Sequence, residues 1–406
     1  PKPSSAASDV YKRQVLSHAT LKASYSLTAD RGPAFVTNSQ AILNSYSPWR
    51  PSASVTESGM RITELENSEL TYEKKHEFNV GIDLGFLKNR LNLAADYYRR
   101  NNFDLIGVIN TQGAGGTIAK YANIASMKSS GIELTISSKN MRTKDFSWNT
   151  DFIFSKTKNE ITDLKSHANV LSLISGNGFG REGYPVRGLF SIPFAGLTED
   201  GLPTFINQDG QKTISSFNFQ EYEKLDFLKY EGPTDPTITG SFGNILTYKN
   251  LKLNVFVTYS FGNVIRLDPV FSNAYSDLDA MPKEFKNRWM KAGDENVTNI
   301  PTIVSTRMNQ QYAYLNMAYN AYNYSDVRIA DGGFIRLKEI SLSYDLPAKV
   351  INFFRLNKLQ LKLQATNLCL LYADSKLNGQ DPEFFRSGGV STPVPKQFTF
   401  TVRLGL

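Results

Sequence analysis

The sequence predicts an all-β protein, a transmembrane antiparallel β-barrel segment with long external loops. Three features predict this class: segments in which apolar and polar residues alternate, connections that alternate between short and long, and abundant aromatic residues without a long apolar stretch. A barrel presents its membrane face through alternation, so its mean hydropathy stays polar. We therefore expect about ten transmembrane strands in this chain.

The most regular strand is the C-terminal segment 396–406. Its polar residues alternate with an apolar set that shares one face, namely Phe398, Phe400, Val402, Leu404 and Leu406. A strand that runs to the end of the chain is typical of the closing strand of an outer-membrane barrel. A water-soluble sandwich also alternates, so this assignment depends on the remaining strands.

The same two-residue period recurs along the chain, in segments long enough to cross a bilayer when tilted. In order, these segments lie near residues 21–27, 78–84, 91–97, 132–136, 146–154, 251–261 and 359–365. A less regular pair covers 238–249 and 333–345. The apolar set of the second changes parity between Leu337 and Ile340, which predicts a β-bulge.

The two faces of these strands are expected to meet different surroundings. Three apolar residues represent the face expected to contact lipid: Val80, Leu253 and Leu361. Their polar neighbours represent the face expected to line the lumen: Asn79, Asn254 and Gln360.

The connections alternate in length, as they do in outer-membrane barrels with short periplasmic turns and long extracellular loops. Long connections cover 30–69, 108–129, 158–237, 265–332 and 371–395; short ones lie near 88–90, 142–144 and 249–250, and an intermediate one with a helical turn covers 347–356. A hairpin-like segment, 189–206, falls inside a long loop, because one more membrane strand there would invert every later turn. We therefore predict that 158–237 forms an external lid.

Composition supports the barrel and excludes other classes. The chain has 406 residues, of which 41% are hydrophobic and 12% aromatic, with a mean hydropathy of −0.32. No segment is apolar enough for a transmembrane helix. The net charge is +7, but Lys and Arg are scattered, so nucleic-acid binding has no support. The single cysteine, Cys369, permits no internal disulfide.

Enzymatic and cofactor sites are not predicted. The three histidines, His18, His76 and His167, lie in separate elements and lack the spacing of a zinc site. The glycine-rich segments 113–116 and 176–178 are not followed by a helix, so they do not resemble a phosphate-binding loop. We therefore expect no catalytic residues, no cofactor and no metal.

The acidic residues likewise predict no metal site and no catalytic site. Asp200-Gly201 and Asp209-Gly210 are turn dipeptides, and the ligand-dense loop of a calcium site is missing. The other carboxylates are dispersed over loops, so no pair for glycoside cleavage can be located.

The candidate substrate contacts lie in a tyrosine-rich run at 311–324. Tyrosine combines an apolar ring with a polar tip, which suits sugars or peptides at a wet boundary. The candidates are Tyr312, Tyr314, Tyr319, Tyr322 and Tyr324. The alternative is that this run packs against neighbouring loops or a partner protein.

Ordered motifs along most of the chain carry a family resemblance. They begin with LTYEKKHEFNVGIDLGF at 70–86 and KNRLNLAADYYR at 88–99. The later motifs are NIASMKSSGIELTI (123–136), FSW (146–148), GYPV (183–186), RWMKAG (288–293), FIRLKEISLSYDLP (334–347), ATNL (365–368), QDPE (380–383) and PVPKQF (393–398). On these motifs, residues 15–406 resemble the C-terminal barrel portion of SusC/RagA-type TonB-dependent outer-membrane transporters.

The resemblance implies a longer protein than this chain. In the family, a signal peptide, a small N-terminal domain, a TonB-contacting segment and a plug precede a barrel of about 22 strands. We therefore expect a C-terminal fragment without the plug. Residues 1–14 show no strand period and resemble no part of the family, so we expect a non-native leader there.

The resemblance also implies a function: energy-coupled import of a large nutrient across the outer membrane of a Gram-negative bacterium. The implied partners are a SusD-like surface lipoprotein, the TonB complex acting through the missing N-terminal region, and the barrel-assembly machinery. Oligosaccharide and peptide are both open as substrates. A passive porin and, more distantly, a secreted β-sandwich that binds glycan are the alternative classes.

Overall fold

The computed structural model describes most of the chain. The described residues are 15–31, 40–47, 58–64, 66–110, 119–176, 180–270, 283–312, 315–353, 356–385 and 395–405. The expected leader, 1–14, lies outside them, as does Leu406.

Strands dominate the described residues, in agreement with the all-β prediction. In chain order they are β1 (Leu16–Asp30), β2 (Ile42–Tyr46), β3 (Gly59–Glu64), β4 (Glu73–Phe86), β5 (Leu91–Asn110), β6 (Ala119–Arg142), β7 (Phe146–Leu164), β8 (Gly188–Ser191), β9 (Phe194–Leu197), β10 (Pro203–Ile206), β11 (Lys212–Thr213), β12 (Lys229–Pro233), β13 (Ile238–Tyr248), β14 (Leu251–Phe261), β15 (Val264–Arg266), β16 (Ile329–Asp331), β17 (Phe334–Asp345), β18 (Lys358–Ala373) and β19 (Gln397–Gly405).

Helices are short and lie in the connections. The α-helices are α1 (Val170–Ser175), α2 (Thr306–Gln311), α3 (Leu315–Asn323) and α4 (Ala348–Phe353). The 3₁₀ helices are Lys283–Asn287, Asp294–Asn296, Asp326–Arg328, Ser375–Leu377 and Pro382–Phe384. Helix α4 confirms the helical turn expected between two strands. None of the helices in the described ranges is long and apolar enough to span a membrane.

One large antiparallel sheet organises the molecule. Its ten strands follow the order β1-β4-β5-β6-β7-β13-β14-β17-β18-β19, so every strand pairs with the next long strand in sequence. This up-and-down order requires only turns or loops between neighbours. The hairpin-like segment 189–206 lies outside this sheet, as predicted, because β8, β9 and β10 belong to two smaller sheets.

The register separates the side chains of the sheet into an apolar face and a polar face. One cross-strand row on the apolar face contains Phe400, Leu363, Leu342, Leu253, Leu246 and Trp148. The adjacent row, on the polar face, contains Thr399, Gln364, Ser341, Asn254, Ile245 and Asn149. Phe400 and Leu363 remain 60% and 58% exposed, so the described residues leave this apolar face uncovered.

The predicted partition of the faces agrees with this register. Leu253 and Leu361 share the apolar face, and Val80 joins it through its pairing with Tyr97. The predicted bulge is also confirmed, because Lys338 is skipped where Leu337 and Glu339 pair with consecutive residues of β14. The extra residue restores the alternation that the sequence loses at this point.

Short turns close one end of the sheet. Three consecutive residues, Leu87, Lys88 and Asn89, have φ between 53° and 59° in the β4–β5 turn, and Lys249 has φ 52° in the β13–β14 turn. Backbones with positive φ twist in the sense that tight hairpins require. The long connections leave from the opposite end of the sheet.

Three of the long connections form a globular layer, which we call the cap and define as the described residues within 165–237, 262–333 and 374–385. Its hydrophobic core includes Val170, Leu173, Phe190, Phe205 and Tyr322, each with at most 1% of its surface exposed. Strand β7 continues to Leu164, so the predicted lid begins several residues later than position 158. The main core of the described protein therefore lies in its loops and not in its sheet.

Tight packing on the polar face generates a test of the register. Gly131 pairs with Tyr98, and a Cβ at Gly131 would lie 2.5 Å from the Tyr98 ring. We expect Gly131→Val to lower stability by about 1–3 kcal/mol, as overpacking does. Ser130→Val, one residue away on the apolar face, is the matched control. Thermal unfolding of the complete protein measures both, and equal effects would contradict the register.

Candidate functional site

A cavity of about 700 Å³ lies where the cap meets the end of the sheet from which the long connections leave. It is lined by Gly176, Arg187, Thr234, Asp235, Pro236, Ser260, Asn263, Val264, Ile265, Gly332, Phe334, Pro382, Glu383 and Phe385. Ser260, at the end of β14, belongs to the polar face. The cavity therefore opens on the side of the sheet opposite the exposed apolar face, and its volume is that of a ligand pocket.

An ion pair forms one wall. The Nε of Arg187 donates to Oδ2 of Asp235 at 2.9 Å, and a second contact joins the same two groups. Arg187 has φ 58°, and its carbonyl accepts from both the backbone N–H and the hydroxyl of Thr234. About half of each charged side chain is exposed, so the pair contributes little to stability. Both charges can therefore interact with a ligand.

A buried ion pair lies behind the part of the cavity that Phe334, Pro382 and Glu383 line. Arg336 of β17 donates to Oδ1 of Asp381 at 2.5 Å and lies 3.1 Å from Oε2 of Glu383. The side chains of Arg336 and Asp381 are only 5% and 8% exposed, whereas that of Glu383 is 41% exposed. The guanidinium also stacks 5.3 Å from the ring of Phe334. This pair joins the polar face of the sheet to the cap.

Local backbone geometry positions the carboxylate of Asp381. Asp381 caps the 3₁₀ helix Pro382–Phe384 by accepting from the N–H of Glu383, and Pro382 occupies the first turn. A proline there loses no hydrogen bond and has a suitable φ. The sequence motifs FIRLKEISLSYDLP and QDPE thus meet in space, although Arg336 and Asp381 are 45 residues apart.

Two further buried arginines hold the cap together. Arg266 donates to the carbonyls of Phe190 at 2.6 Å and of Ile174 and Ser325 at 3.3 Å. Arg328, 2% exposed, pairs with Glu284 at 2.7 Å and donates to the carbonyl of Asp268 at 2.6 Å.

These contacts connect segments that are distant in sequence, and the sequence analysis did not identify them. The available signal was one basic residue inside each of the apolar runs Val264–Leu267 and Val327–Ile329.

Two of the five candidate tyrosines belong to the core of the cap. Tyr319 and Tyr322 lie on α3 and are each 1% exposed. The hydroxyl of Tyr319 donates to the carbonyl of Thr302 at 2.6 Å. Burial raises the pKa of Tyr322 to about 12, against an opposing effect of Arg328. Both rings therefore pack against neighbouring loops, the alternative noted for this run.

The other candidates occupy different surroundings. Tyr312 is half-buried, and its hydroxyl donates to Asp200 at 3.2 Å, which raises the pKa of Tyr312. Tyr324 packs against the core of the cap with Arg266 5.4 Å from its ring. Tyr314 lies outside the described residues. The cavity lining includes none of the four described tyrosines, so ligand contact through this run stays a prediction.

The RWMKAG motif has a packing role in the described structure. The indole of Trp289 covers Gly201, where a Cβ would lie 2.4 Å from the ring and where φ is +75°. Its Nε1 donates to Glu295 at 3.1 Å. Gly201 closes the turn that begins at Thr198. The Asp200-Gly201 dipeptide therefore serves as a turn, as does Asp209-Gly210, whose glycine N–H donates to the carbonyl of Asn207.

One carboxylate in the cap lies in an unusual electrostatic environment. Glu231 of β12 is largely buried, and burial raises its pKa, although Lys229 at 3.5 Å opposes this effect. Lys229 also pairs with Asp326 at 3.4 Å. Across the described residues, no group of three or more His, Cys, Asp or Glu side chains is arranged to hold a metal. The charges of the cap instead form ion pairs between loops.

Comparison with known proteins identifies the relatives of this chain. TonB-dependent receptor P3 of Formosa agariphila is 26% identical over 348 residues, which cover 80% of this chain and 32% of that protein. TonB-dependent receptor SusC of Bacteroides thetaiotaomicron is 26% identical over 360 residues, with 84% and 32% covered. The chain is similar to SusC-type TonB-dependent receptors over about four fifths of its length. This confirms the resemblance seen in the sequence motifs. No family model matches the chain.

Solved structures of related fold extend this result. The RagAB peptide transporter matches this chain over 96% of its length and over 41% of the transporter chain, with a TM-score of 0.74 and 23% identity. The RagAB peptide importer in its closed-closed state gives a TM-score of 0.73 over 97% of the chain. The fold of this chain therefore matches about two fifths of the RagAB transporter chain. The chain spans about one third of the length of its curated relatives.

The buried pair of Arg336 and Asp381 supports a stability test. Arg336→Met should destabilise the complete protein by about 3–5 kcal/mol, because it leaves a buried carboxylate unpaired. Arg336→Met combined with Asp381→Leu should recover most of the loss, since apolar groups can replace a buried pair. Lys338→Met, on the same strand, is the control. Thermal unfolding and proteolysis near 374–385 measure the effect; a double variant as unstable as the single would contradict the pairing.

Proposed function

We propose that this chain is the C-terminal part of the β-barrel of an outer-membrane, TonB-dependent importer for large nutrients. The observation that carries the proposal is the exposed apolar face of a ten-stranded up-and-down sheet, combined with homology to TonB-dependent receptors. A water-soluble protein would cover such a face, whereas a barrel in lipid exposes it. The long-loop end with its cap is the extracellular end.

The edges of the sheet support a larger barrel. Within the described residues, β1 and β19 each have one edge without a strand partner. An open edge leaves backbone N–H and C=O groups unsatisfied in lipid, which costs several kcal/mol for each group. The complete protein is therefore proposed to supply the remaining strands of a barrel of about 22, together with the plug. Each strand of the ten-stranded sheet would cross the membrane once.

The cavity between cap and sheet is proposed to take part in substrate binding. Its walls carry charges of both signs through Arg187, Asp235 and Glu383, next to the apolar side chains of Phe334 and Phe385. Peptides offer charged groups, amides and apolar side chains together, so this mixture favours peptide over neutral oligosaccharide. In the tyrosine run, Tyr312 is the described member proposed to reach a ligand, and the buried members hold the cap.

The partners follow from the same homology. A SusD-like surface lipoprotein would close over the cap, and the TonB complex would act on the plug outside this chain. The barrel-assembly machinery would insert the strands into the outer membrane.

Uptake by the complete protein tests the substrate class. Cells lacking other routes should import labelled oligopeptides through it and lose import when TonB coupling is removed. The double variant Arg187→Gln/Asp235→Asn should weaken peptide binding about tenfold, because it removes charge-assisted contacts of about 1–2 kcal/mol. Arg181→Gln, which breaks an exposed ion pair of the cap, is the control. Import of oligosaccharide but not peptide would contradict the peptide assignment.

The lipid-facing assignment has its own test. In the complete protein, Leu253→Arg should cost about 2–4 kcal/mol if its row lies near the bilayer midplane, because it places a charge in lipid. Asn254→Arg, on the polar face of the same strand, should cost far less. Heat-modifiable migration of the folded barrel in detergent gels reports the folded fraction. Equal losses for the two variants would reject the assignment of the faces.

A further inference from the structure

Basic side chains interrupt the apolar face at its extracellular end, on three adjacent strands. They are Arg99 of β5, Lys128 of β6, and Lys156 and Lys158 of β7. Arg99 and Lys158 both pair with Ser130, and Tyr97 and Lys156 both pair with Ile132. The register therefore places these cations on the same face as Tyr97 and Ile132, which are 44% and 51% exposed.

Three of these four cations line a pocket of about 200 Å³ on this face, and Lys156 lies below it, beside Ile132. Tyr97 and Ser130 contribute to the pocket together with Arg99, Lys128 and Lys158. The apolar surface of Ile132 continues directly toward the short-turn end. A small polar pocket thus lies immediately above an apolar surface.

The charges in this region are unbalanced. Glu160 lies 2.9 Å from Lys128 and 3.4 Å from Lys158, and it is the carboxylate lining the pocket. The side chain of Arg99 is exposed and makes no hydrogen bond or ion pair with any described residue, and the side chain of Lys158 is 77% exposed. Four cations facing one carboxylate repel each other, so an added anion would be favourable.

The cations are local and do not form a ring around the sheet. At the level of Arg99, the neighbouring strands β4 and β1 present Phe78 and Tyr25. On the other side, β13 and β14 present Ile238 and Phe261 at the level of Lys156. A solvated rim would carry charge on every strand at this level. On β4, the basic residue of this face beyond His76 is Lys74, which pairs with Asp104 at 2.8 Å. The cations in excess of their carboxylates therefore lie on β5, β6 and β7, and this restriction indicates a site.

We propose that Arg99, Lys128, Lys156 and Lys158 bind the phosphorylated headgroup of an outer-leaflet lipid, whose acyl chains lie against Tyr97 and Ile132. The inference rests on the proposed membrane function, since it requires the apolar face to contact lipid. Charge complementarity identifies the occupant: guanidinium and ammonium groups bind phosphate, and the Arg fork does so through two parallel hydrogen bonds. The site lies where the headgroup layer begins, above the apolar rows.

The test uses the complete protein in nanodiscs of phosphatidylcholine alone or with diphosphoryl lipid A. Native mass spectrometry should detect retained lipid A, and titration should give its Kd. Each cation near an anionic lipid surface contributes about 1 kcal/mol, or about fivefold in Kd. Arg99→Gln/Lys158→Gln should therefore weaken retention about 25-fold. Lys144→Gln, in a short turn at the other end of the sheet, should change nothing.

Measurements with free phosphate and of import distinguish a lipid site from a free-phosphate site and from failure of the proposed membrane function. Inorganic phosphate at millimolar concentration should neither raise the thermal midpoint nor displace lipid A, which assigns the site to a lipid. Displacement by free phosphate, or equal retention by the wild-type protein and the double variant, would overturn the inference. Because the double variant lies outside the cavity, it should assemble and import normally. A complete protein that imports but retains no lipid A refutes this site alone, whereas one that never enters the membrane refutes the proposed function.

Discussion

Pairing of backbone N–H and C=O groups between strands is the constraint on which the rest of this structure depends. This pairing joins all ten strands of the large sheet, from the edge strand β1 to the edge strand β19. Pairing fixes the register, and the register sends alternate side chains to opposite faces. The apolar rows and the polar surface on which the cap rests are both consequences. Where the sequence breaks the alternation, at Lys338, a bulge absorbs the extra residue and the faces are restored.

The cap meets a different requirement, because its long connections must satisfy backbone groups without long strands or helices. Two buried arginines satisfy four of these backbone carbonyls. Arg266 donates to three, and Arg328 pairs with Glu284 while donating to the fourth. A guanidinium has five donors in a rigid planar fork, so one side chain can join several segments. The hydrophobic core around Phe190 and Tyr322 then packs between segments that these contacts hold. A charged framework and an apolar core therefore stabilise the same layer.

The candidate site forms where these two layers meet. Arg336 belongs to the sheet and Asp381 to the cap, and their neighbours Phe334, Pro382 and Glu383 line the cavity. The cavity is also lined by the half-exposed pair of Arg187 and Asp235, which lies entirely within the cap. A buried pair that holds two layers together and an exposed pair that remains accessible thus have separate roles. The polar face beneath them is the surface that a barrel turns toward its lumen.

The two-residue period in the sequence was enough to locate the long strands, to assign their faces and to predict the bulge after Leu337. It did not give their lengths: β5 extends to Asn110 and β6 begins at Ala119, so strand occupies much of the long connection expected at 108–129. The resemblance to SusC-type receptors was also visible in the motifs, and the similarity to these proteins confirms it. Contacts between loops, in contrast, depend on the folded chain. Tyr319 and Tyr322 carry the same side chain as Tyr312, yet α3 places them in a hydrophobic core that residues of several other loops form. The contact of Arg336 with Asp381 likewise joins residues 45 positions apart, and no local period encodes such a distance.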